Sequence, residues 1–210
     1  TTLTVRQIRG ARPSPNGKQL VFTALDRLWI MDLQPPAGGQ RAIAGGLPGK
    51  PRRLTTSDEG EHSPVWSPDG KYIAFISWTE DGGDIWRIPA AGGKPEKLTR
   101  AQAFYEDLAY SPNGSRLVAV RAPREQRAEM NDEINPKLII TDLVWIPAAG
   151  GDAKLIAPLE GAARPHFTND STRVWIYDSD EGLVSMRWDG TDRKAHVIVT
   201  GFQVPGGGGG

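Results

Sequence analysis

The chain of 210 residues contains no cysteine. That removes disulfides, thiolate metal sites and a cysteine nucleophile together. No apolar run reaches the roughly 18 residues that a spanning helix requires. Net charge is lacking too: 25 basic residues balance 25 acidic ones. Without a basic or acidic footprint, neither nucleic acid nor an anionic membrane is expected as a partner. Histidine is scarce, and the three present, His62, His166 and His196, show no HxH or HExxH spacing, so no zinc site is expected. There is no G-x-S-x-G elbow, no P-loop and no dinucleotide-binding glycine motif. Helical periodicity is also missing; the best stretch, Arg124 to Asp132, has no apolar face. Glu80-Asp81 with Asp84, and Asp178 with Asp180-Glu181, carry oxygens but not the spacing of a calcium loop. No catalytic residue, metal or cofactor is therefore assigned.

What the sequence does contain is short, β-rich runs divided by turn signals. Glu61 to Thr99 shows the pattern most fully. A short strand ends at Val65-Trp66, and Ser67-Pro68-Asp69-Gly70 turns the chain, with Pro presetting φ and Gly accepting a positive one. Tyr72 to Ile76 forms an apolar run of strand length. Asp81-Gly82-Gly83 leads to Ile85-Trp86-Arg87-Ile88, and Ala91-Gly92-Gly93 to Glu96-Lys97-Leu98-Thr99. Four antiparallel strands in a meander are predicted.

The unit recurs. Its first turn returns as Ser14-Pro15-Asn16-Gly17, Ser111-Pro112-Asn113-Gly114 and, degenerate, Thr168-Asn169-Asp170-Ser171. The starts at 14, 67, 111 and 168 fit a repeat of about 40–50 residues with insertions. Pro13, Trp66, Tyr110 and Phe167 precede the turns, and Trp29, Trp86, Trp145 and Trp188 are read as third-strand tryptophans. Ile-Pro-Ala-Ala-Gly-Gly occurs verbatim at 88–93 and 146–151. The fold class that follows is all-β: a β-propeller of four-stranded antiparallel blades, about four in this chain. Blades are expected at 8–55, 61–99, 105–157 and 163–200, followed by a Gly-rich tail at 201–210. Both termini read as cut ends, so the four blades form either a compact ring or an arc of a larger propeller. An arc would expose apolar blade faces and self-associate. Trp66, Tyr110 and Phe167 are expected to be buried near the inner strands, with Trp86 and Trp145 between blades.

Counting back five and four residues from each turn gives Arg9-Gly10, His62-Ser63, Glu106-Asp107 and Ala163-Arg164. If the first strand of each blade lines the channel, these pairs stand at one mouth. The candidate partner-binding residues are Arg9, His62, Glu106, Asp107 and Arg164. The 122–137 insertion would overhang the same opening, and the 33–50 insertion lengthens another loop. Solvated loop ends joined by interblade salt bridges explain the same charges equally well.

The pattern aromatic-Ser-Pro-Asp/Asn-Gly, then Ile/Leu-Trp, then Gly-Gly with Leu-Thr, resembles the TolB-type propeller repeat from about Ile8 to Thr200. Residues 11–17, 26–29 and 182–194 resemble the propeller portion of amidohydrolase-related proteins. The resemblance implies a periplasmic or secreted, non-catalytic module whose partner is a neighbouring catalytic domain or another protein, and which meets a peptide-like or polar substrate. It also allows an independent interaction propeller of the cell envelope.

Overall fold

A computed structural model of the chain describes residues 7–33, 49–122, 140–160, 164–178 and 180–197. Fifteen strands and no helix occur among them. The first sheet contains β1 (Arg9–Pro13), β2 (Gln19–Ala24), β3 (Arg27–Asp32) and β4 (Arg52–Arg53). The second contains β5 (Gly60–Trp66), β6 (Tyr72–Trp78), β7 (Ile85–Pro89) and β8 (Glu96–Lys97). β9 (Phe104–Tyr110), β10 (Arg116–Ala122), β11 (Ile140–Pro147) and β12 (Lys154–Glu160) form the third. β13 (Arg173–Asp178), β14 (Gly182–Arg187) and β15 (Lys194–Val197) form the fourth. Every sheet is an antiparallel meander in chain order. In the fourth, the inner strand is reduced to a bridge between His166 and Trp175.

The turns between first and second strands share one construction. Ser67 Oγ donates to Asp69 Oδ1 at 2.6 Å and accepts from the Tyr72 amide at 2.9 Å. Ser14 with Asn16 and Ser111 with Asn113 repeat it. The degenerate copy keeps the Asx half, Asp170 Oδ1 accepting from the Thr172 amide at 2.8 Å. Such side-chain acceptors hold the turn without help from the rest of the fold.

Buried clusters fill the spaces between successive sheets. Val21, Leu28 and Ile30 meet Ile73, Phe75 and Ile88 between the first two. Ile76, Ile85 and Leu98 meet Tyr105, Leu117 and Ile146 between the next. Val118, Leu143 and Ile156 meet Val174, Val184 and Met186 between the last. The middle strands of the second and third sheets are therefore covered on both faces, which explains their continuous apolar runs, whereas β13 of the fourth buries alternate residues. Trp66 is buried, whereas Tyr110, which borders an open cleft between sheets, and Phe167, at the margin of the last cluster, are half-buried.

The tryptophans require a correction. Trp29 pairs with Phe22 and Trp86 with Phe75, eight residues past their turn serines, but Trp145 pairs with Val118, seven past Ser111. A slip of one residue moves a side chain to the opposite face. Accordingly, Trp86 packs toward the first sheet while Trp145 packs toward the fourth. Trp188 is not on a third strand; it follows β14 in the turn. Most of the 33–50 insertion, most of the 122–137 insertion and the Gly-rich tail lie outside the described residues.

Candidate site at the inner-strand ends

Each inner strand begins at the same end as the hairpin joining its second and third strands, since Arg9 pairs with Thr23 and Gly60 with Trp78. The ladder slips between Arg9 and Arg12, between His62 and Val65, and opposite Val118 and Val120. At each slip one residue is left-handed: Gly10 at φ 58°, Ser63 at 51° and Asp107 at 51°. Arg164, in the reduced fourth copy, has φ 42°. Non-glycine residues seldom adopt this region. Its recurrence four residues before every turn makes it part of the repeat. Bulges of this kind re-aim the side chains around them.

Asp107 is where separate sheets meet electrostatically. Burial pushes its carboxyl above the ordinary range, and neighbouring Glu106 adds to the rise. Arg164, through its charge and its backbone N–H, and Arg12 hold it down. Residues from the first, third and fourth repeats therefore share one small region. Arg9 is exposed on β1, and its carbonyl accepts from Thr23 Oγ1 at 3.1 Å. His62 is half-buried, with Nδ1 3.1 Å from Ser63 Oγ in its own bulge. His166 Nδ1 lies 3.1 Å from the Arg164 carbonyl oxygen.

Sequence reasoning missed Arg12 and His166, which both stand two residues before their turns. Strand alternation from the position four before the turn was the signal available. It also missed a Ser–His contact. Ser185 Oγ is 2.7 Å from His196 Nε2 and accepts from Arg173 Nε at 2.9 Å. Ser185 has no exposed surface, so this hydroxyl joins strands and cannot meet a substrate carbonyl in this conformation. Three acids of the two clusters are likewise engaged. Asp84 accepts from Thr99 Oγ1 at 2.6 Å, and Asp178 and Glu181 flank Arg193 at 2.8 and 2.9 Å.

No family model matches the chain. Among curated proteins it is similar to tricorn protease homolog 2 of Streptomyces coelicolor, 33% identical over 87 residues, covering 41% of this chain and 6% of that protein. It is also similar to dipeptidyl-peptidase 5 of Porphyromonas endodontalis, 29% identical over 149 residues, covering 68% and 21%. Among solved structures it superposes on TolB from Acinetobacter baumannii with a TM-score of 0.62 and 20% identity, covering 92% of this chain and 43% of that one. The chain thus spans a fraction of the length of each. The amidohydrolase resemblance finds no support in these relatives. The fold of this chain is that of a TolB-type β-propeller.

Proposed function

We propose that the chain is a non-catalytic recognition module that receives an extended polar or zwitterionic segment at the inner-strand ends. Arg9, His62, Glu106, Asp107 and Arg164 form the rim, with Arg12 beside them. The observation that carries this reading is the charge meeting at Asp107, framed by a left-handed residue in every repeat. Both signs of charge suit a peptide-like chain better than a polyanion. The two peptidase-named relatives support a place beside a hydrolytic domain, where the module binds or filters what that domain receives. In this reading the module works in a periplasmic or exported setting. The likeness to TolB favours a second reading, an independent interaction propeller of the envelope.

The test replaces Glu106, Asp107 and Arg164 together by alanine and titrates a mixed-charge tetrapeptide, Lys-Ala-Ala-Glu, into chain and variant by calorimetry. Affinity is expected to fall about tenfold or more in the variant, and to fall with salt as exposed charges are screened over ~8–10 Å. Unchanged affinity in a folded variant refutes the rim. If peptide binds only when a hydrolytic domain is present in the same polypeptide, the accessory reading gains over the independent one.

A further inference from the structure

At the opposite end from the rim, a cleft of about 900 Å³ opens between the third and fourth sheets. A ladder of rings and cations lines it. Lys154 Nζ lies 4.8 Å from the Trp145 ring, and the Arg116 guanidinium lies 4.2 Å from Trp145 and 4.7 Å from Trp188. The two indoles meet edge to face at 6.0 Å, and Phe167 stacks on Trp188 at 5.4 Å. Trp188 Nε1 donates to the Ser171 carbonyl at 2.8 Å, which fixes the ladder's end. No carboxylate of the described residues forms an ion pair with Arg116 or Lys154.

The repeat supplies an internal control. The matching cleft between the second and third sheets has about 260 Å³. Trp145 there corresponds to Arg87, since the two pair with Val118 and Ala74, each seven residues past its turn serine. Lys154 corresponds to Glu96, each being the cross-strand partner of that position. In the smaller cleft Arg87 is consumed: Glu96 sits at 2.7 Å, the Ala148 carbonyl accepts at 2.9 Å, and the Tyr72 ring lies beneath at 4.7 Å. In the larger cleft the acid has become a lysine; Arg187 also lines it but is paired with Asp192 at 3.6 Å, and Arg116 and Lys154 face the one lining acid, Asp189. One scaffold position is thus internally neutralised in one cleft and left cationic and open in the next.

We propose that this larger cleft docks an acidic peptide segment, its carboxylates taken by Arg116 and Lys154 and an apolar neighbour by Leu155, which is 55% exposed. A guanidinium stacked on rings is held with its N–H edge free, the arrangement that takes a carboxylate in two parallel bonds. The Trp145 and Trp188 rings are already engaged by Arg116, Lys154 and Phe167. They therefore offer a poor platform for the stacking on which bases and sugar rings depend. The cleft is independent of the rim, which lies at the other end of the strands.

The test uses the full chain and a blocked Glu-Leu-Glu-Leu-Glu peptide, followed by calorimetry and tryptophan fluorescence at low salt. Its lysine counterpart, trigalacturonate and inorganic phosphate are the comparison ligands. Binding of the acidic peptide is expected, weakened about tenfold or more by Arg116→Gln and by Lys154→Glu, and unaffected by Arg87→Gln. Lys154 is exposed and its substitute is the residue the second repeat carries, so this variant decides the matter even if Arg116→Gln loses its fold. The proposal fails if the peptide does not bind, if Lys154→Glu binds it as well as the parent, or if Arg87→Gln weakens it equally. Tighter binding of trigalacturonate or phosphate, lost in Lys154→Glu, overturns the peptide as occupant.

Discussion

Replacing Glu61 by alanine removes a buried clasp between the first two sheets. Glu61 is 2% exposed and lies on β5, yet its Oε2 accepts from the Leu28 amide at 2.7 Å and from Thr55 Oγ1 at 2.7 Å, both in the first repeat. Hydrogen bonds to a charged group contribute roughly 1.5–3 kcal/mol each, and a buried amide stranded by their loss adds to the cost. The expected destabilisation is about 3–5 kcal/mol, because truncating one side of a buried charged contact leaves its partners unsatisfied. For a domain of this size each kcal/mol moves the melting point by about 2–4 °C, so Glu61→Ala should melt on the order of 10 °C lower. Glu61→Gln is the control. It keeps one acceptor oxygen for both donors, and Oε1 has no partner to lose; the expected cost is about 1–2 kcal/mol. Calorimetry and urea unfolding read both values. A shift below about 3 °C for alanine, or equal shifts for the two variants, refutes the clasp.

Two further outcomes follow from the same geometry. Gly190 has φ +79°, and a Cβ there would run into the Ile156 carbonyl oxygen; Gly190→Ala should cost a few kcal/mol of stability, seen as a lower urea midpoint, through strain at the third–fourth sheet contact, and an unchanged midpoint rejects that packing. The carboxyl of Asp107 is raised in the folded state, so the fold binds more protons there than the unfolded chain. Its contribution is present below the unfolded value near 3.8 and lost as pH rises through the folded one. Asp107→Asn, which also tolerates the left-handed backbone, should therefore be more stable than the parent at neutral pH, with the gap closing on acidification; a pH-independent gap excludes burial as the cause.

Local chemistry made the repeat legible. Ser67, Asp69 and Gly70 determine their turn within six residues, so identical letters announce identical structure. The inner-strand ends could be located by counting from those turns. That the chain is left-handed there could not be foreseen, because Ser63, Asp107 and Arg164 are not glycines and only Gly10 signals a positive φ. The tryptophan register failed for the opposite reason. Trp86 stands two residues before its Ile-Pro-Ala-Ala-Gly-Gly turn and Trp145 one before its own, so the offset was in the sequence and aligning the two tryptophans with each other passed over it. The Glu61 clasp spans 33 residues to Leu28, beyond the reach of any pattern in one repeat.

The clasp also shows how equivalent repeats exchange chemistry while keeping geometry. Leu28 and Ile85 pair with Thr23 and Ile76, each nine residues past its turn serine, and so occupy the same place. The residue before Ile85 is Asp84, which holds Thr99 Oγ1 from within its own sheet; before Leu28 stands Arg27, which cannot accept a hydrogen bond. The acid then comes from the following sheet as Glu61. At the place of Glu61 in the third repeat, six residues before the turn serine, stands Tyr105, its phenol pushed up to about 12 by burial and donating to the Ala101 carbonyl at 3.0 Å. A second buried carboxylate there would face Asp84 without a donor left to satisfy it, a costly arrangement in an apolar interior. Tyr105→Glu should therefore destabilise the fold at neutral pH, and Tyr105→Phe, which removes only one hydroxyl bond, should cost about 1 kcal/mol. Equal stabilities for the two variants at neutral pH would show that the acid can be placed on both sides at once, and would overturn this account of the exchange.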